Sequence, residues 1–458
     1  MTDLNPSNAQ ASTFRIPVSD PWAHVWKALA ALAAVGGVAA WFGYTGNPER
    51  FAFSYLFAFL CFLFIGLGAI FYVLILHLTS AGWGVSTRRT AEFFCTGVPV
   101  LALLFLPILA VLQHLYPWYG HDVPQTKVSF NATLRGHAEE QPGSIGEQHA
   151  VHPLSAPQTA NGAAIRHTSG GGHHAAHLAH EAVVQKKHAY LNQPFFLIRA
   201  LLYFAVWIFL AWRVVSLSLK QDETKDPHNT VKLKRMSAPG IIVLALTLTF
   251  ASFDWIMSLE PAWYSTIFGV YLFGSSAVAI FAVVIVTTLA LRAGGFLADA
   301  VNVEHYHDLG KLMFGFIVFW AYIGFSQLLL IWYAGLPEEA TFYHLRWDGG
   351  LWQRLSLFLL VGHFFFPFAL ILSRNAKRKL AVLGFAAVWM LVLHVVEMYW
   401  FVMPYYSAGH FEMHWLDLAC LLWVGGIYTA VVFRRMTRHA LIPIGDPRLD
   451  RSLRFENP

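Results

Sequence analysis

Long apolar runs separated by short polar clusters dominate the chain, and the length of the runs is what identifies the elements. A hydrocarbon core about 30 Å thick takes about 20 residues of helix to cross. Runs of that kind are predicted near residues 25–45, 53–78, 91–115, 195–219, 239–257, 263–291, 310–335, 351–373, 380–402 and 413–433. The expected fold is therefore an all-α polytopic membrane protein with about ten transmembrane helices.

The polar connections supply an orientation. An even number of spans places both termini on one side. The connections after spans two, four, six and eight, with the C-terminal tail, carry Arg88, Arg89, Lys232, Lys234, Arg292, Arg374, Arg378, Arg434 and Arg435. The short connections on the other side carry almost none beyond Arg50 and Arg346. The positive-inside bias makes the basic side cytoplasmic. The expected organisation is a cytoplasmic tail at 1–24, helices one to three over 25–115, an external (in a bacterium, periplasmic) insertion at 116–194, helices four to ten over 195–435, and a cytoplasmic tail at 436–458. The first about 20 residues lack the short apolar core and cleavage site of a signal peptide, so the N-terminus is expected to be retained.

Composition agrees. Of 458 residues, 57% are hydrophobic and 12% charged, which places the chain in the membrane class. The net charge of +5 sits beside apolar runs, so it reads as a topology signal and not as a nucleic-acid surface. Cys61, Cys95 and Cys420 all fall in apolar segments without CxxC, CxxCH or iron–sulfur spacing. No cysteine-ligated redox centre is expected.

The insertion is rich in Gly, Ala, Ser, Pro, Gln and His and poor in core-forming residues, the composition of a flexible segment. Within "HHAAHLAH", His173, His177 and His180 would share one face of a helix and could ligate Zn²⁺ or Cu²⁺. A low-complexity surface tract is the commoner meaning of such a composition, and no metal site is expected.

Candidate chemistry lies in the polar residues of the spans, since a charge at the bilayer centre costs about 2.5–3.5 kcal/mol on insertion scales. "LHVVEMYWFVMP" places His394 and Glu397 in the outer half of span nine, and His414 and Asp417 open span ten. Each pair is i, i+3 and shares a helix face. If the two faces met, two imidazoles and two carboxylates would form a proton-exchanging cluster. Asp254 and Glu260 lie at similar depth, His363 nearer the middle of span eight, and His77 near the inner end of span two. These eight residues are the proton-pathway candidates; none is expected to be catalytic. The competing reading is ordinary interhelical hydrogen bonding, worth around 0.6 kcal/mol per bond. Pro261 biases Glu260 away from helix, so Asp254 and Glu260 are also expected as cap and turn residues, and Asp308 as a cap of span seven. Bis-histidine haem ligation by His77, His363 or His394 needs two imidazoles facing each other at one depth, which no pair of spans offers. Aromatic content alone identifies no quinone pocket.

Two stretches go further. "SFDWIMSLEPAWYSTIFGVYLFG" at 252–274 and "EHYHDLGKLMFGFIVFWAYIGFSQLLLIWYAGLPEE" at 304–339, with "LSRNAKR" at 372–378, closely resemble the ActF subunits of alternative complex III, a bacterial quinol:cytochrome c or high-potential acceptor oxidoreductase. Those subunits belong to the NrfD-like, polysulfide-reductase-like membrane family. The resemblance implies two four-helix bundles, from spans two to five and six to nine, flanked by spans one and ten. It implies a bacterial inner-membrane subunit of a respiratory or photosynthetic electron-transfer complex, supporting assembly and a candidate for proton translocation, with no redox cofactor of its own and no catalysis alone. Quinol would be the substrate of the whole complex. Haem c and iron–sulfur clusters would belong to partners: a multihaem cytochrome c, an iron–sulfur protein and a paralogous NrfD-like subunit. Lipids are expected partners and nucleic acid is not. The His-rich insertion is no part of the resemblance. The alternative is a proton-coupled secondary transporter, for which helices broken by Gly or Pro at matching positions in two halves would be the sign. A third reading is a scaffold whose buried acids are silent.

Overall fold

The computed structural model describes residues 14–119, 186–347 and 349–457; His173, His177 and His180 lie outside them. Among the described residues ten helices are long and apolar enough to cross a membrane: α1 (Pro21–Gly46), α2 (Pro48–Leu78), α3 (Val85–Ala110), α4 (Gln193–Thr224), α5 (His228–Leu259), α6 (Phe268–Ala293), α7 (Val303–Ala334), α8 (Leu351–Ile371), α9 (Leu380–Tyr405) and α10 (Trp415–Met436). No strand occurs among the described residues. The chain is an all-α, multi-pass membrane protein.

Several helices begin earlier than their apolar runs. α5 starts at His228 and runs through Pro239, and α7 starts at Val303. Hydropathy marks where hydrocarbon begins, whereas a helix can extend into the polar zone if its first amide groups find acceptors. At α7 they do: Asn302 caps the helix and forms a reciprocal capping box with His305. Asp308, expected as the cap, lies more than a turn inside, where it pairs with Lys311 and accepts a hydrogen bond from Asn457. α8 changes pitch midway, with α-helix at Leu351–Leu359, π-helix at Leu360–Phe365 and α-helix again at Phe366–Ile371. Pro367 has no N–H for the carbonyl of His363 one turn earlier, and the widened turn accommodates that loss.

The packing forms two rings. α2, α3, α4 and α5 pack in circular order, and α6, α7, α8 and α9 repeat that order. α2 and α6, the first helix of each ring, lie against each other at the centre, and both are almost wholly buried. They are apolar on every face, as suits a helix surrounded by others. Outer helices turn side chains such as Leu201, Trp212, Phe325 and Val392 outward. α1 and α10 pack along each other and together flank α2.

The two ends differ in chemistry. At the end where α2 finishes and α3 begins, Arg88 pairs with Glu92 at 2.8 Å and Asp446 at 2.9 Å, and Arg89 pairs with Asp222 at 2.6 Å. These arginines are more than topology signals: both are fully buried in ion pairs. Asp446 belongs to a tail that folds back across this basic end. Burial alone would raise the Asp446 carboxyl, but hydrogen bonds from Arg448 and the charge of Arg88 hold it well below the usual carboxylate range. Ser452 of the tail donates to Trp83 and meets Ser86 and His305. Gly445 lies so close to α4 that a Cβ there would sit 2.0 Å from the Gln221 carbonyl oxygen. The Phe14 carbonyl accepts from Leu441, so both described termini lie at this end. At the opposite end the fully buried Arg346 donates to the carbonyls of Phe342, Trp400 and Phe401 and stacks on Phe342 at 3.7 Å. A cation there satisfies the last carbonyls of α9 and complements the helix dipole.

Candidate functional site

α9 carries Glu397 and His394 on one face because they are separated by three residues, and that face points into the second ring. Glu397 is fully buried. Its Oε1 accepts from Trp320 Nε1 of α7 at 2.5 Å, and its Oε2 accepts from Ser275 Oγ of α6 at 2.5 Å. His363 of α8 stands 3.7 Å away, and its ring stacks on Trp320 with centroids 3.8 Å apart. His394 reaches Ser275 through Nδ1 at 3.2 Å and the Cys61 carbonyl of α2 through Nε2 at 3.0 Å. Three helices therefore reach the carboxylate carried by α9, and α2 joins the cluster through His394. Among the described residues no Lys or Arg forms an ion pair with Glu397; His363 is its charge-capable neighbour within 4 Å.

The hydrogen bonds constrain where protons sit. A carbonyl only accepts, so His394 Nε2 carries a proton toward Cys61. Ser275 has one hydroxyl proton and two partners. If it donates to Glu397, then His394 Nδ1 must donate to Ser275, giving carboxylate and imidazolium. If instead it donates to His394 Nδ1, then Glu397 must donate to Ser275, giving carboxylic acid and neutral imidazole. The two arrangements hold the same number of protons and differ by one proton moved from Glu397 to His394 through Ser275. A buried chain with two such states can pass a proton between an acid and an imidazole. His363 Nδ1 is buried without a hydrogen-bond partner among the described residues, so this imidazole is not locked in one tautomer by the protein.

Asp254, the corresponding acid of the first ring, is arranged differently. Arg199 of α4 grips both its oxygens, Nε to Oδ2 at 2.8 Å and Nη2 to Oδ1 at 2.9 Å, and Tyr203 donates to Oδ2 at 2.7 Å. Arg199 also donates to the Tyr190 carbonyl and lies 3.8 Å from the Tyr190 ring centroid. Asp254 is thus no helix cap, contrary to expectation, but half of a buried bidentate ion pair. Glu260 is the expected turn residue: it is extended, with φ −125° and ψ 90°, and accepts from the Ala262 amide.

The expected meeting of the two α9 and α10 pairs does not occur. α2 runs between the helices and packs on both. Asp417 pairs with Arg50 at 2.6 Å and accepts from Ser54 at 2.6 Å, both on α2, while His414 and Asp417 form the capping box that starts α10. Ser54 and Cys61 are seven residues apart on α2, about 10 Å of helix, so Asp417 and His394 occupy separate sites. His77 stands apart at the basic end, buried, with neither ring nitrogen hydrogen-bonded among the described residues. The structure therefore gathers His363, His394 and Glu397 and disperses His77, Asp254, Glu260, His414 and Asp417.

Several partners were not anticipated. Arg199 lies inside the fourth apolar run, and a cation there requires a carboxylate at matching depth, which points to Asp254. Asp254 and Glu397 each stand seven residues before a proline, Pro261 and Pro404, and this shared spacing marks the fourth helix of each ring. Ser275 and Trp320 give no such signal, because an uncharged residue in an apolar span looks the same whether or not it serves a site.

Among the described residues no group of three or more His, Cys, Asp or Glu side chains is arranged to hold a metal ion. No protein-family model matches the chain, and no curated protein matches it.

Proposed function

We propose that this chain is a cofactor-free integral subunit of a bacterial quinol-oxidising electron-transfer complex of the alternative complex III type, and that its second ring moves protons. The observation that carries the proton role is the Ser275 hydroxyl bridging Glu397 and His394 in a site where, among the described residues, no Lys or Arg pairs with the acid. A carboxylate neutralised by arginine is held ionised. One flanked by serine and imidazoles exchanges its proton with them. The assignment to a complex rests on the sequence resemblance at 252–274 and 304–339, which covers α7 and the α5–α6 turn. In this reading the basic end faces the cytoplasm, the relay lies in the outer half of the inner membrane, and quinol oxidation with its haem c and iron–sulfur chemistry belongs to partner subunits.

Two measurements test it. The complex is isolated in mild detergent through a C-terminal tag and its subunits are identified by mass spectrometry. Multihaem cytochrome, iron–sulfur and paralogous membrane partners in fixed ratio are expected; a lone chain or homo-oligomer would turn the assignment toward a secondary transporter. The intact complex, reconstituted in vesicles, is then compared with its Glu397→Gln form for protons moved per electron. A lower ratio is expected, and an unchanged ratio removes Glu397 from any proton path.

A further inference from the structure

A groove of about 1130 Å³ lies outside both rings, between α1, α10 and the end of α3, lined by Ala30, Ala34, Val38, Pro107, Trp423 and Ile427 among others. It stays concave because Ala30, Ala34 and Gly37 recur along α1 where larger side chains would fill it. Its lining is apolar except at one end, where Arg434 is the single charged residue. The Arg434 guanidinium lies 5.2 Å from the Trp26 ring centroid, and Lys27 approaches the same ring at 5.9 Å. Two cations thus meet on one interfacial indole. Among the described residues neither joins an ion pair, in contrast to the neighbouring Arg88 and Arg89.

From these features we infer that the groove is a binding site for one anionic phospholipid, with the phosphate held by Arg434 and Lys27 and an acyl chain lying along α1. The α1 lining runs from Trp26 to Tyr44, about 27 Å of helix. One leaflet of hydrocarbon is about 15 Å deep, so an acyl chain anchored at Trp26 fills the Arg434 half of the groove. Trp26 marks headgroup depth, where indoles gather; Arg434 lines the groove at that depth, and Lys27 stands beside it on the same ring. A transmembrane helix of another protein would press on the whole groove and would have no use for two cations at one end. Attraction of this kind is electrostatic and contributes to selectivity between headgroups, while the apolar wall fixes position.

The test uses the full chain in mild detergent, with native mass spectrometry after addition of phosphatidylglycerol or phosphatidylcholine of identical acyl chains. One phosphatidylglycerol per chain is expected, with phosphatidylcholine retained at least tenfold less. Arg434→Gln combined with Lys27→Gln should remove that preference, and Ala34→Phe should abolish retention of both lipids. Equal retention of the two lipids by the parent protein, or retention indifferent to Ala34→Phe, overturns the site. Photo-crosslinking from position 34 in native membranes reads the occupant independently of variant stability: a lipid adduct supports the proposal, and a polypeptide adduct overturns it.

Discussion

The two four-helix rings repeat one packing order and each buries one acid on its fourth helix, yet they surround that acid with opposite chemistry. In the first ring Arg199 and Tyr203 saturate Asp254 with three hydrogen bonds from one neighbouring helix. In the second ring Glu397 is reached by an indole, a hydroxyl and an imidazole from three different helices. The first arrangement fixes a charge and ties α4 to α5. The second surrounds the acid with groups that can exchange protons and, among the described residues, pairs it with no Lys or Arg. A buried acid is therefore informative about function only through its neighbours: a guanidinium makes it a strut, whereas groups that both accept and donate suit it to the relay proposed for Glu397.

Breaking the strut should give the largest effect. Arg199→Leu leaves Asp254 buried without a counter-charge, and such uncompensated ions destabilise by about 3–5 kcal/mol. The expected outcome is that much loss in chemical denaturation, most of it recovered when Asp254→Leu is added, because a buried pair replaced by packed apolar side chains is close to neutral. If the single and double variants are equally unstable, the ion pair is not what holds α4 on α5.

The basic end tests whether other fixed pairs behave as struts. Asp446 is held below the ordinary carboxylate range, so its contribution to stability is fully present above the unfolded value of about 3.9 and is lost as pH falls toward the folded value. Amide exchange in residues 440–457 should accelerate below about pH 4 before that of the transmembrane helices. The loss is smaller than at Arg199, since Arg88 keeps Glu92 as a partner. Asp446→Asn should abolish this pH step. If the tail loosens with the same pH dependence in Asp446→Asn, another group controls it.

Much of this comparison was legible in the sequence, and the part that was not has a physical cause. Ten apolar runs gave ten spans, and single acids in apolar surroundings, Asp254 and Glu397, stood out because charge in hydrocarbon is costly. The start at Val303 was set by the Asn302 cap in the polar zone, and that at His228 follows Pro227, with the His228 amide donating to Asp226; hydropathy registers neither. The assembly of Glu397 with Ser275, Trp320 and His363 depends on which helices are neighbours, and helical periodicity specifies a face without naming what it meets. Asp417 illustrates the limit: its i, i+3 pairing with His414 reflects a helix cap, whereas the same spacing in His394 and Glu397 reflects a shared site.

A smaller effect on stability, but a direct one on the relay, is expected of Ser275→Ala. Removing one hydroxyl between two buried partners costs about 1 kcal/mol and disconnects Glu397 from His394. Proton movement in the reconstituted complex should fall as far as in Glu397→Gln, while Ser275→Thr, which keeps the hydroxyl, retains it. Full proton movement in Ser275→Ala would show that the bridge is structural.

The smallest change in stability is expected at the residue most central to the relay. In Glu397→Gln the amide oxygen can still accept from Trp320 and the amide nitrogen can donate to Ser275, so two hydrogen bonds survive with geometry close to the original. No cation is left unpaired, because none was paired there. Denaturation should shift by less than about 1 kcal/mol, against several for Arg199→Leu. A strut at Glu397 would reverse that ranking: large destabilisation by Glu397→Gln with unchanged proton movement would place the second ring in the same class as the first. The opposite result, near-native stability with proton movement lost, separates the rings by the property that distinguishes their geometry, whether a buried acid's neighbours can take its proton.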